Sequence, residues 1–340
     1  MTEPQHPRVS VILPTYNAAS YLPSAINSVL AQSFTEFELL VLDNASSDNT
    51  EAVVRAIADP RIRYVRNAVN LGFRGNMEYG RTLAAGAYVA IQNADDLWEP
   101  DHLARCVGFL DEHRSCGFVH ARITLIDDAG QPFGEAVGPW NPVTGGRQAF
   151  LNCFRYGFSF PTMVIRNETL RDVPPLPEGE PWAPIVDTWL FLQLCLRGDA
   201  GFLAHRLTRY RVHISGMLYQ SYADGTFFRR RLVTTADAFA WPEVRNCFTA
   251  RDQRRVMRQV ARDAMAILPV ARSRATRAQT LRAFAEIGSR VPSVLLHPES
   301  WARLAYSLLP RAGIHRLRQH KRQIWAARHA YPEDPSRSHG

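Results

Sequence analysis

The sequence contains few cysteines, in no arrangement that a metal site or a disulfide framework requires. Five of its 340 residues are cysteine, an odd number, and none of them forms a CxxC pair. A structural zinc site and a disulfide-rich scaffold are therefore excluded, and reduced thiols are expected. No run of 18 consecutive apolar residues occurs, which predicts no membrane-spanning helix. The N-terminal residues MTEPQHPRVS lack the basic-then-apolar pattern of a signal peptide, so we expect a cytoplasmic protein.

Lysine is almost absent, and the positive charge is unevenly distributed. Lys321 is the single lysine, and arginine supplies the other cations. Residues 251–340 hold 18 Lys and Arg against 6 Asp and Glu, whereas residues 1–250 hold 22 against 26. The body of the chain is therefore mildly acidic, and its C-terminal region carries the excess positive charge.

Strand and helix patterns alternate through the first hundred residues. Four short apolar runs predict strands over residues 9–13, 37–42, 62–65 and 87–91. Helices are predicted between them, over 22–30, from Asp48 onward with Glu51 completing a capping box, and over 75–85. This alternation predicts right-handed crossovers and a mainly parallel sheet, whose ligands bind beyond the carboxyl ends of the strands.

The pattern changes twice after the first hundred residues. From about 105 to 215 it loosens, with a predicted strand over 118–126 and an irregular, proline-rich segment over 173–184. From about 216 to 330 the chain is predicted to be helical and basic, and residues 331–340 are predicted to be a disordered tail. We therefore expect a domain over 1–215 followed by a helical extension.

The stretch IQNADDLWEP, residues 91–100, places two carboxylates at the end of an apolar strand. Adjacent like charges cost free energy unless a cation lies near them. Oxygen ligands suit Mg²⁺ or Mn²⁺, which bind a few carboxylates together with substrate phosphates. Asp95 and Asp96 therefore predict a metal or diphosphate site, with a solvated loop as the alternative.

Two other polar stretches each allow two interpretations. Asp43 in LDNASSDNT either stabilises its own turn or accepts a hydrogen bond from a nucleobase. In NLGFRGN, residues 70–76, the glycines either form simple turns or bring Asn70 and Arg74 to a ligand. The GK[ST] ending of a P-loop is missing from this second stretch.

Four motifs, in this order, resemble those of family 2 glycosyltransferases with a GT-A fold: PTYNAASYLPSAINSVLAQS, LDNASSDNT, NLGFRGN and NADDLWEPDHL. The resemblance covers roughly residues 7–215. It implies a mainly parallel mixed sheet flanked by helices, with a C-terminal helical extension. It also implies a nucleotide-sugar-binding half over about 7–104 and an acceptor-binding half over 105–215.

The resemblance assigns roles on the donor side. Asp95 is expected at the ribose and as a metal ligand, and Asp96 is expected on the Mn²⁺ or Mg²⁺ that bridges the diphosphate. Asn93 departs from the family pattern, because many members have a further Asp there. The remaining residues implied at the donor are Pro14, Thr15, Tyr16, Asn17, Asp43, Asn70 and Arg74.

The resemblance also assigns a base and its surroundings. Asp187 is expected to take the proton of the acceptor hydroxyl; the alternative from the residues alone is a helix N-cap. Val186 stands where the family often has Glu. In YRVH, Arg211 is expected at the diphosphate and His213 at the metal, unless His213 is structural. Trp182 and Trp189 are expected to stack on acceptor sugars, although helical spacing also fits Trp189 to the core.

The C-terminal stretch 309–331 interleaves apolar residues with Arg and Lys. This pattern predicts peripheral binding to an anionic membrane surface, with packing on the catalytic domain as the alternative. No nucleic-acid-binding motif accompanies the basic residues, so nucleic acid is not an expected partner.

These features together predict an inverting, metal-dependent glycosyltransferase of the hexosyl or N-acetylhexosaminyl class. A UDP-sugar is the expected donor, a glycan or lipid-linked hydroxyl the expected acceptor, and cell-surface polysaccharide synthesis the expected process. A nucleotidyltransferase would have a glycine-rich loop where this chain has PTYNAAS. A degenerate protein that only binds nucleotide or glycan is disfavoured because Asp95, Asp96 and Asp187 are all present.

Overall fold

The computed structural model describes residues 7–138, 140–179, 182, 185–213, 226–271 and 277–308. These residues form two compact units. The first contains the described residues up to Gly179 and those from Ile185 to Arg211, and the second contains Trp182 and the described residues from Val212 onward.

The first unit is built around one mixed sheet. Its strands are β1 Val9–Thr15, β2 Phe37–Asp43, β3 Ile62–Arg66, β4 Tyr88–Ile91, β5 Leu97–Trp98, β6 Cys116–Ile126, β7 Pro132–Ala136, β8 Val143–Thr144, β9 Val164–Arg166 and β10 Asp199–Arg211. Its helices are α1 Leu22–Leu30, α2 Thr50–Arg55, α3 Gly72–Leu83, α4 His102–Glu112, α5 Gly146–Tyr156, α6 Asn167–Arg171 and α7 Val186–Cys195, with a 3-10 turn at Phe160–Thr162.

The strand order is β3-β2-β1-β4-β9-β6-β10-β5, with β7 beside β6 and β8 beside β10. Strands β1 to β4 pair in parallel, and β6 pairs in parallel with β10. Strand β9 is antiparallel to both β4 and β6. Because β9 is antiparallel to both of its neighbours, β6 runs in the same direction as β4. Strands β1, β2, β4, β6 and β10 therefore all end at the same edge of the sheet. The predicted mainly parallel mixed sheet is confirmed.

The core forms because β1 is apolar enough to be covered on both faces. All seven of its residues are buried, and α1 packs Leu22, Ile26 and Val29 into the same core. On α3, Gly80 allows a close approach to the sheet. A Cβ atom at Gly80 would lie 2.5 Å from Leu42 Cδ1.

Two predicted helix starts differ from the structure. Helix α3 begins at Gly72, three residues early, where Gly72 has a φ of 69° and its N–H donates to Asn70 Oδ1 at 2.8 Å. Helix α2 begins at Thr50 with Asn49 at its N-cap, although Asp48 Oδ1 accepts the Thr50 N–H at 3.0 Å. Glu51 pairs with Arg55 at 2.8 Å, so the predicted capping box is wrong.

The second unit is helical, as the sequence predicts. Its helices are α8 Thr226–Ala240, α9 Pro242–Arg245, α10 Ala250–Ala271, α11 Arg277–Arg290 and α12 Pro298–Leu308, with a 3-10 turn at Pro292–Leu296. Within the described part of the chain, no helix is long and apolar enough to cross a bilayer.

Candidate active site

Polar residues converge at the carboxyl edge of the sheet. Thr15 at the end of β1 is in register with Asp43 at the end of β2, which is in register with Arg66 of β3. The loop Asn93–Asp96, which we call the NADD loop, follows β4 at the same edge, and Arg211 ends β10 there. The structure therefore brings together the predicted residues of the donor side that lie on these strands and on the loops that follow them.

The loop after β1 is hydrogen-bonded to the loop after β2. Asn17 has a left-handed φ of 49°; its N–H donates to Ser46 Oγ at 2.9 Å, and its Oδ1 accepts the Ser47 N–H at 2.8 Å. Pro14 is buried in β1, whereas Tyr16 exposes half of its surface. The Thr15 hydroxyl is buried without a hydrogen-bond partner among the described residues. Tyr16 and Thr15 are therefore the residues of this loop with capacity for a ligand.

Asp43 is fully buried and hydrogen-bonded within the protein. Its Oδ1 accepts the Ser46 N–H at 2.8 Å, and its Oδ2 accepts the Tyr64 hydroxyl at 2.6 Å and Arg66 Nη1 at 2.9 Å. Burial, and then the bond to Asp43, raise the pKa of Tyr64 to about 12, so Tyr64 stays a donor. These contacts match the turn-stabilising role, and a nucleobase could reach Asp43 only if Tyr64 or Arg66 moved.

Asn70 and Arg74 bind other parts of the protein. Asn70 Oδ1 accepts Asn44 Nδ2 at 2.7 Å and so ties the start of α3 to the end of β2. Arg74 pairs with Glu178 at 2.8 Å and donates to the Leu176 carbonyl at 3.2 Å. Arg74 therefore contacts the proline-rich segment, and its predicted approach to the donor remains a prediction.

The two carboxylates of the NADD loop have different surroundings. Asp96 is fully buried; its Oδ1 accepts the Arg211 backbone N–H at 2.7 Å, and its Oδ2 accepts Asn93 Nδ2 at 2.8 Å. Burial, followed by the charge of Asp95, raises the pKa of Asp96 well above its ordinary value. Asp95 is half-buried. Asn93, the departure from the family pattern, thus positions the carboxyl group of Asp96.

Arg211 connects three segments through backbone carbonyls. Its Nε donates to Asp95 O at 2.9 Å, and its Nη1 donates to Asp127 O at 3.0 Å and Asp128 O at 2.8 Å. Its guanidinium lies 5.2 Å from the ring of Tyr21, whose hydroxyl donates to Asp128. The cation expected beside the two carboxylates is therefore present and holds the loop, and its place at the diphosphate remains a prediction.

The oxygen ligands of the NADD loop fit a divalent cation that is bound through one carboxylate, that of Asp95. Both Asp96 oxygens already accept hydrogen bonds, whereas Asp95 is partly open to solvent. Mg²⁺ and Mn²⁺ need only one or two protein carboxylates when substrate phosphates and waters complete the shell. The described residues contain no cluster of three or more His, Cys, Asp or Glu that could hold a metal without such a substrate.

Asp187 lies in the first turn of α7, with Ile185 at the N-cap, so the N-cap alternative is wrong. Its Oδ1 accepts the Thr188 N–H at 2.7 Å. Burial raises the pKa of Asp187, and the Thr188 hydrogen bonds only partly oppose this shift. A raised pKa brings a carboxylate closer to the range in which it works as a general base.

Helix α7 places Asp187 level with the NADD loop. Its C-terminal end lies at the amino end of β6, where the Asp199 N–H donates to Ser115 O at 3.1 Å. Farther along α7, Phe191 packs on His120 of β6, and His120 is level with Ile91 through the β4-β9-β6 register. Asp187 lies one helical turn, about 6 Å, beyond Phe191 toward the carboxyl edge of the sheet. Two strand residues span about the same rise, so Asp187 is level with the NADD loop that follows Ile91.

Sequence reasoning missed an aromatic cluster beneath Asp187. Phe158 stacks on Phe191 with centroids 4.3 Å apart, and Trp140 meets Phe191 at 5.8 Å. Trp140 Nε1 donates to Gly157 O at 3.1 Å, and Gly157 has a φ of 69°. Burial lowers the pKa of His120, within this cluster, to about 3. Phe158 and Tyr156 are half-buried. Phe158 and Tyr156 lie about thirty residues before Asp187 in the chain, so no local sequence pattern links them to it.

The remaining predicted residues fall in different places. Trp189 is buried in α7 of the first unit. Trp182 belongs to the second unit, where its Nε1 donates to Asp237 at 2.7 Å and its ring packs on Trp241. His213 is half-buried and also belongs to the second unit. The membrane-binding stretch predicted over 309–331 and the tail 331–340 lie outside the described residues.

Comparison with known sequences gives a family match over the region that forms this site. Residues 10–166 match the model of Glycosyl transferase family 2. An uncharacterized glycosyltransferase of a Nostoc species is 29% identical over 212 residues, which are 61% of this chain and 65% of that protein. The Escherichia coli protein UDP-Glc:alpha-D-GlcNAc-diphosphoundecaprenol beta-1,3-glucosyltransferase WfgD is 32% identical over 120 residues, 35% of this chain and 47% of its own. The matches thus span about half to two thirds of these relatives.

Comparison with solved structures confirms the GT-A-like fold. Staphylococcus aureus TarS 1-349 in complex with UDP-GlcNAc aligns with a TM-score of 0.55 and 18% identity, covering 87% of this chain and 92% of that one. The mannosyltransferase PcManGT of Pyrobaculum calidifontis, in complex with GDP-Man and Mn²⁺, aligns with a TM-score of 0.53 and 19% identity. That alignment covers 89% of this chain and 84% of PcManGT.

Proposed function

Because the chain belongs to glycosyl transferase family 2, we propose that it moves a sugar from a nucleotide-diphosphate donor to a hydroxyl acceptor. The sugar is a hexosyl or N-acetylhexosaminyl unit, and the anomeric configuration inverts in one displacement. The observation that carries this proposal is the position of Asp187, a carboxylate of raised pKa level with the NADD loop.

The donor occupies the carboxyl edge of the first four strands. Tyr16 stacks on the base, and the Thr15 hydroxyl gains the partner that it lacks among the described residues. Asp43 and Asn17 contribute by fixing the two loops, and Asn70 and Arg74 border the pocket at the start of α3. A UDP-sugar is the expected donor; the TarS and PcManGT complexes contain UDP-GlcNAc and GDP-Man, respectively.

Asp95 would hold Mn²⁺ or Mg²⁺ together with the diphosphate oxygens. When bound, the cation neutralises the negative charge that develops on the departing nucleoside diphosphate. Asp96 keeps the loop in place through Arg211, and Arg211 in turn holds the Asp95 carbonyl. The predicted approach of His213 to the metal stays part of this proposal.

Asp187 accepts the proton of the acceptor hydroxyl as its oxygen attacks the sugar carbon. The half-buried rings of Tyr156 and Phe158 offer apolar surface to the acceptor sugar beside it. A lipid-linked or other glycan acceptor is consistent with the diphosphoundecaprenol acceptor named for WfgD. We place the reaction in cell-surface polysaccharide synthesis, on the cytoplasmic side of the membrane.

Thermal unfolding in the presence of UDP, GDP or dTDP, each with and without Mn²⁺ or Mg²⁺, tests the donor site. At a concentration 100 times Kd, binding stabilises the folded state by about 2.7 kcal/mol, which is readily detected. We expect one nucleoside diphosphate to raise the Tm and the metal to enlarge that rise. If none of the three raised the Tm under any condition, the assignment of this edge as a sugar-nucleotide site would be wrong.

A further inference from the structure

Helix α10 of the second unit presents a row of exposed arginines. Arg251, Arg254, Arg255, Arg258 and Arg262 are all exposed. At 100° per residue, these five positions fall within an arc of about 100° on the helix. Val256 and Val260 lie on the opposite side and are buried. We call the five residues the arginine stripe; along the helix it is about 16 Å long.

The arginine stripe carries five positive charges, and no acidic residue of the same helix falls within its arc. The acidic residues of the same helix, Asp252 and Asp263, fall outside its arc at about 100° and 120° from Arg251. Three of the stripe's arginines, Arg251, Arg255 and Arg258, line a depression in the surface together with Asp252. Guanidinium groups suit phosphate because they donate paired hydrogen bonds. The stripe therefore fits an anionic surface that carries phosphates.

Exposed apolar side chains lie in the same unit. Leu281, Leu296 and Trp301 expose 46%, 82% and 52% of their surface, respectively. Trp301 packs on Phe284, one turn after Leu281, at 5.1 Å, and its Nε1 donates to Leu295 O at 2.7 Å. The three residues therefore form one patch, which we call the apolar patch. Leu296 is too exposed to be explained by packing within the described unit.

The arginine stripe and the apolar patch are adjacent. Arg262, the last arginine of the stripe, lies 3.0 Å from His297 through Nη2 and Nε2. His297 follows Leu296 directly in the chain. Cations beside exposed Leu and Trp are the combination that binds the interface of an anionic bilayer, where the headgroups take the charge and the acyl boundary takes the apolar side chains.

We propose that the second unit binds an anionic phospholipid surface through the arginine stripe and the apolar patch. A soluble polyanion such as a nucleic acid would account for the arginines but not for Leu296 and Trp301. An apolar protein partner would account for the patch but not for a row of five exposed arginines. This surface lies in the folded helices and is distinct from the stretch 309–331, and it does not depend on the proposed enzymatic function.

Vesicle flotation of the full-length chain tests the proposal. The vesicles contain phosphatidylcholine alone or phosphatidylcholine with about one phosphatidylglycerol in three lipids. We expect binding to the anionic vesicles only, weakening as salt is raised. The variant R251Q/R255Q/R258Q should reduce binding by about a hundredfold, since each of the three cations near the surface contributes about 1 kcal/mol, or about fivefold in affinity.

Two further variants separate this surface from general effects. R63Q/R114Q/R171Q removes three exposed arginines of the first unit, with the same change in net charge, and should bind as the wild type does. L281S/L296S should weaken binding while leaving its salt dependence in place. Equal loss in both arginine variants, unchanged binding in R251Q/R255Q/R258Q, or no effect of L281S/L296S would each overturn the proposal. Circular dichroism and the Tm confirm that each variant is folded.

Discussion

Carboxylates on the donor side and the acceptor side of the candidate site differ in the hydrogen bonds that they accept. On the donor side, Asp43 and Asp96 are fully buried, and each accepts two or more hydrogen bonds from other residues. On the acceptor side, Asp187 accepts hydrogen bonds from its neighbour Thr188 alone within the described part of the chain, and an aromatic cluster lies beneath it.

The difference separates carboxylates that hold loops from a carboxylate that is placed to react. A buried carboxylate with several donors is committed to structure, because each donor would be left unpaired if the group moved. Burial raises the pKa of both Asp96 and Asp187, but Asp187 has fewer donors that would be left unpaired if it bound a proton. Hydrogen bonding, more than burial alone, therefore distinguishes the two kinds of carboxylate here.

The largest expected effect is on the acceptor side. Asp187→Asn keeps the shape of the side chain but cannot accept a proton, so kcat should fall by about 10²- to 10⁴-fold. Nucleoside diphosphate binding, measured by thermal shift, should not change. Asp172→Asn, at an exposed position of the same unit, is the control and should leave kcat unaltered. Transfer by Asp187→Asn at the wild-type rate would remove Asp187 as the base.

The two adjacent carboxylates of the NADD loop should respond differently to the same change. Asp96→Ala leaves the Arg211 N–H and the Asn93 amide unpaired and should lower the free energy of unfolding by about 3 kcal/mol. Asp95→Ala should change stability by less than about 1 kcal/mol, as a half-exposed substitution does, but abolish the metal-dependent part of nucleotide stabilisation. Urea denaturation and the nucleotide thermal shift measure both, and equal destabilisation by the two variants would contradict the division.

A smaller effect is expected from the aromatic cluster. Phe158→Leu keeps the apolar volume but removes the flat ring, so the KM for the acceptor should rise by several-fold while the KM for the donor stays constant. The loss corresponds to about 1 kcal/mol of stacking. Phe150→Leu, in the same unit but fully buried in α5, provides the comparison: it should lower the Tm without selectively raising the acceptor KM. A donor-side effect of Phe158→Leu would argue against this position for the acceptor.

The smallest effect is a pH-dependent change in stability at Asp187. Because its folded-state pKa is raised, the ionised carboxylate costs free energy, and stability present at low pH is lost as pH rises through the folded pKa. Asp187→Asn removes this loss, so its Tm should exceed that of the wild type by at most a few degrees near pH 7 and match it below about pH 4. Calorimetry across this range measures the difference, and a less stable variant at pH 7 would show that ionised Asp187 is stabilised by a partner.

Much of the first unit could be predicted because its signals are local. The apolar runs at Val9, Phe37, Ile62 and Tyr88 gave strands within a few residues of their observed bounds. For β1, β2 and β4 the reason is that burial on both faces requires continuous apolar sequence. The start of α3 was missed because the left-handed Gly72 continues into the helix through its bond to Asn70. The conformation of Gly72 depends on Asn44, which follows β2 and whose Nδ2 donates to Asn70 Oδ1.

What the sequence by itself determined is the fold class, the family and the edge of the sheet where the polar motifs meet. These follow from periodicity and from residues close together in the chain. Only the tertiary structure decided which polar groups are committed to one another. Asp96 meets Arg211 across 115 residues, and Arg211 meets Asp128 across 83. Such pairings arise from the register of β10 beside β6, and the burial that makes them strong exists only once the sheet has formed.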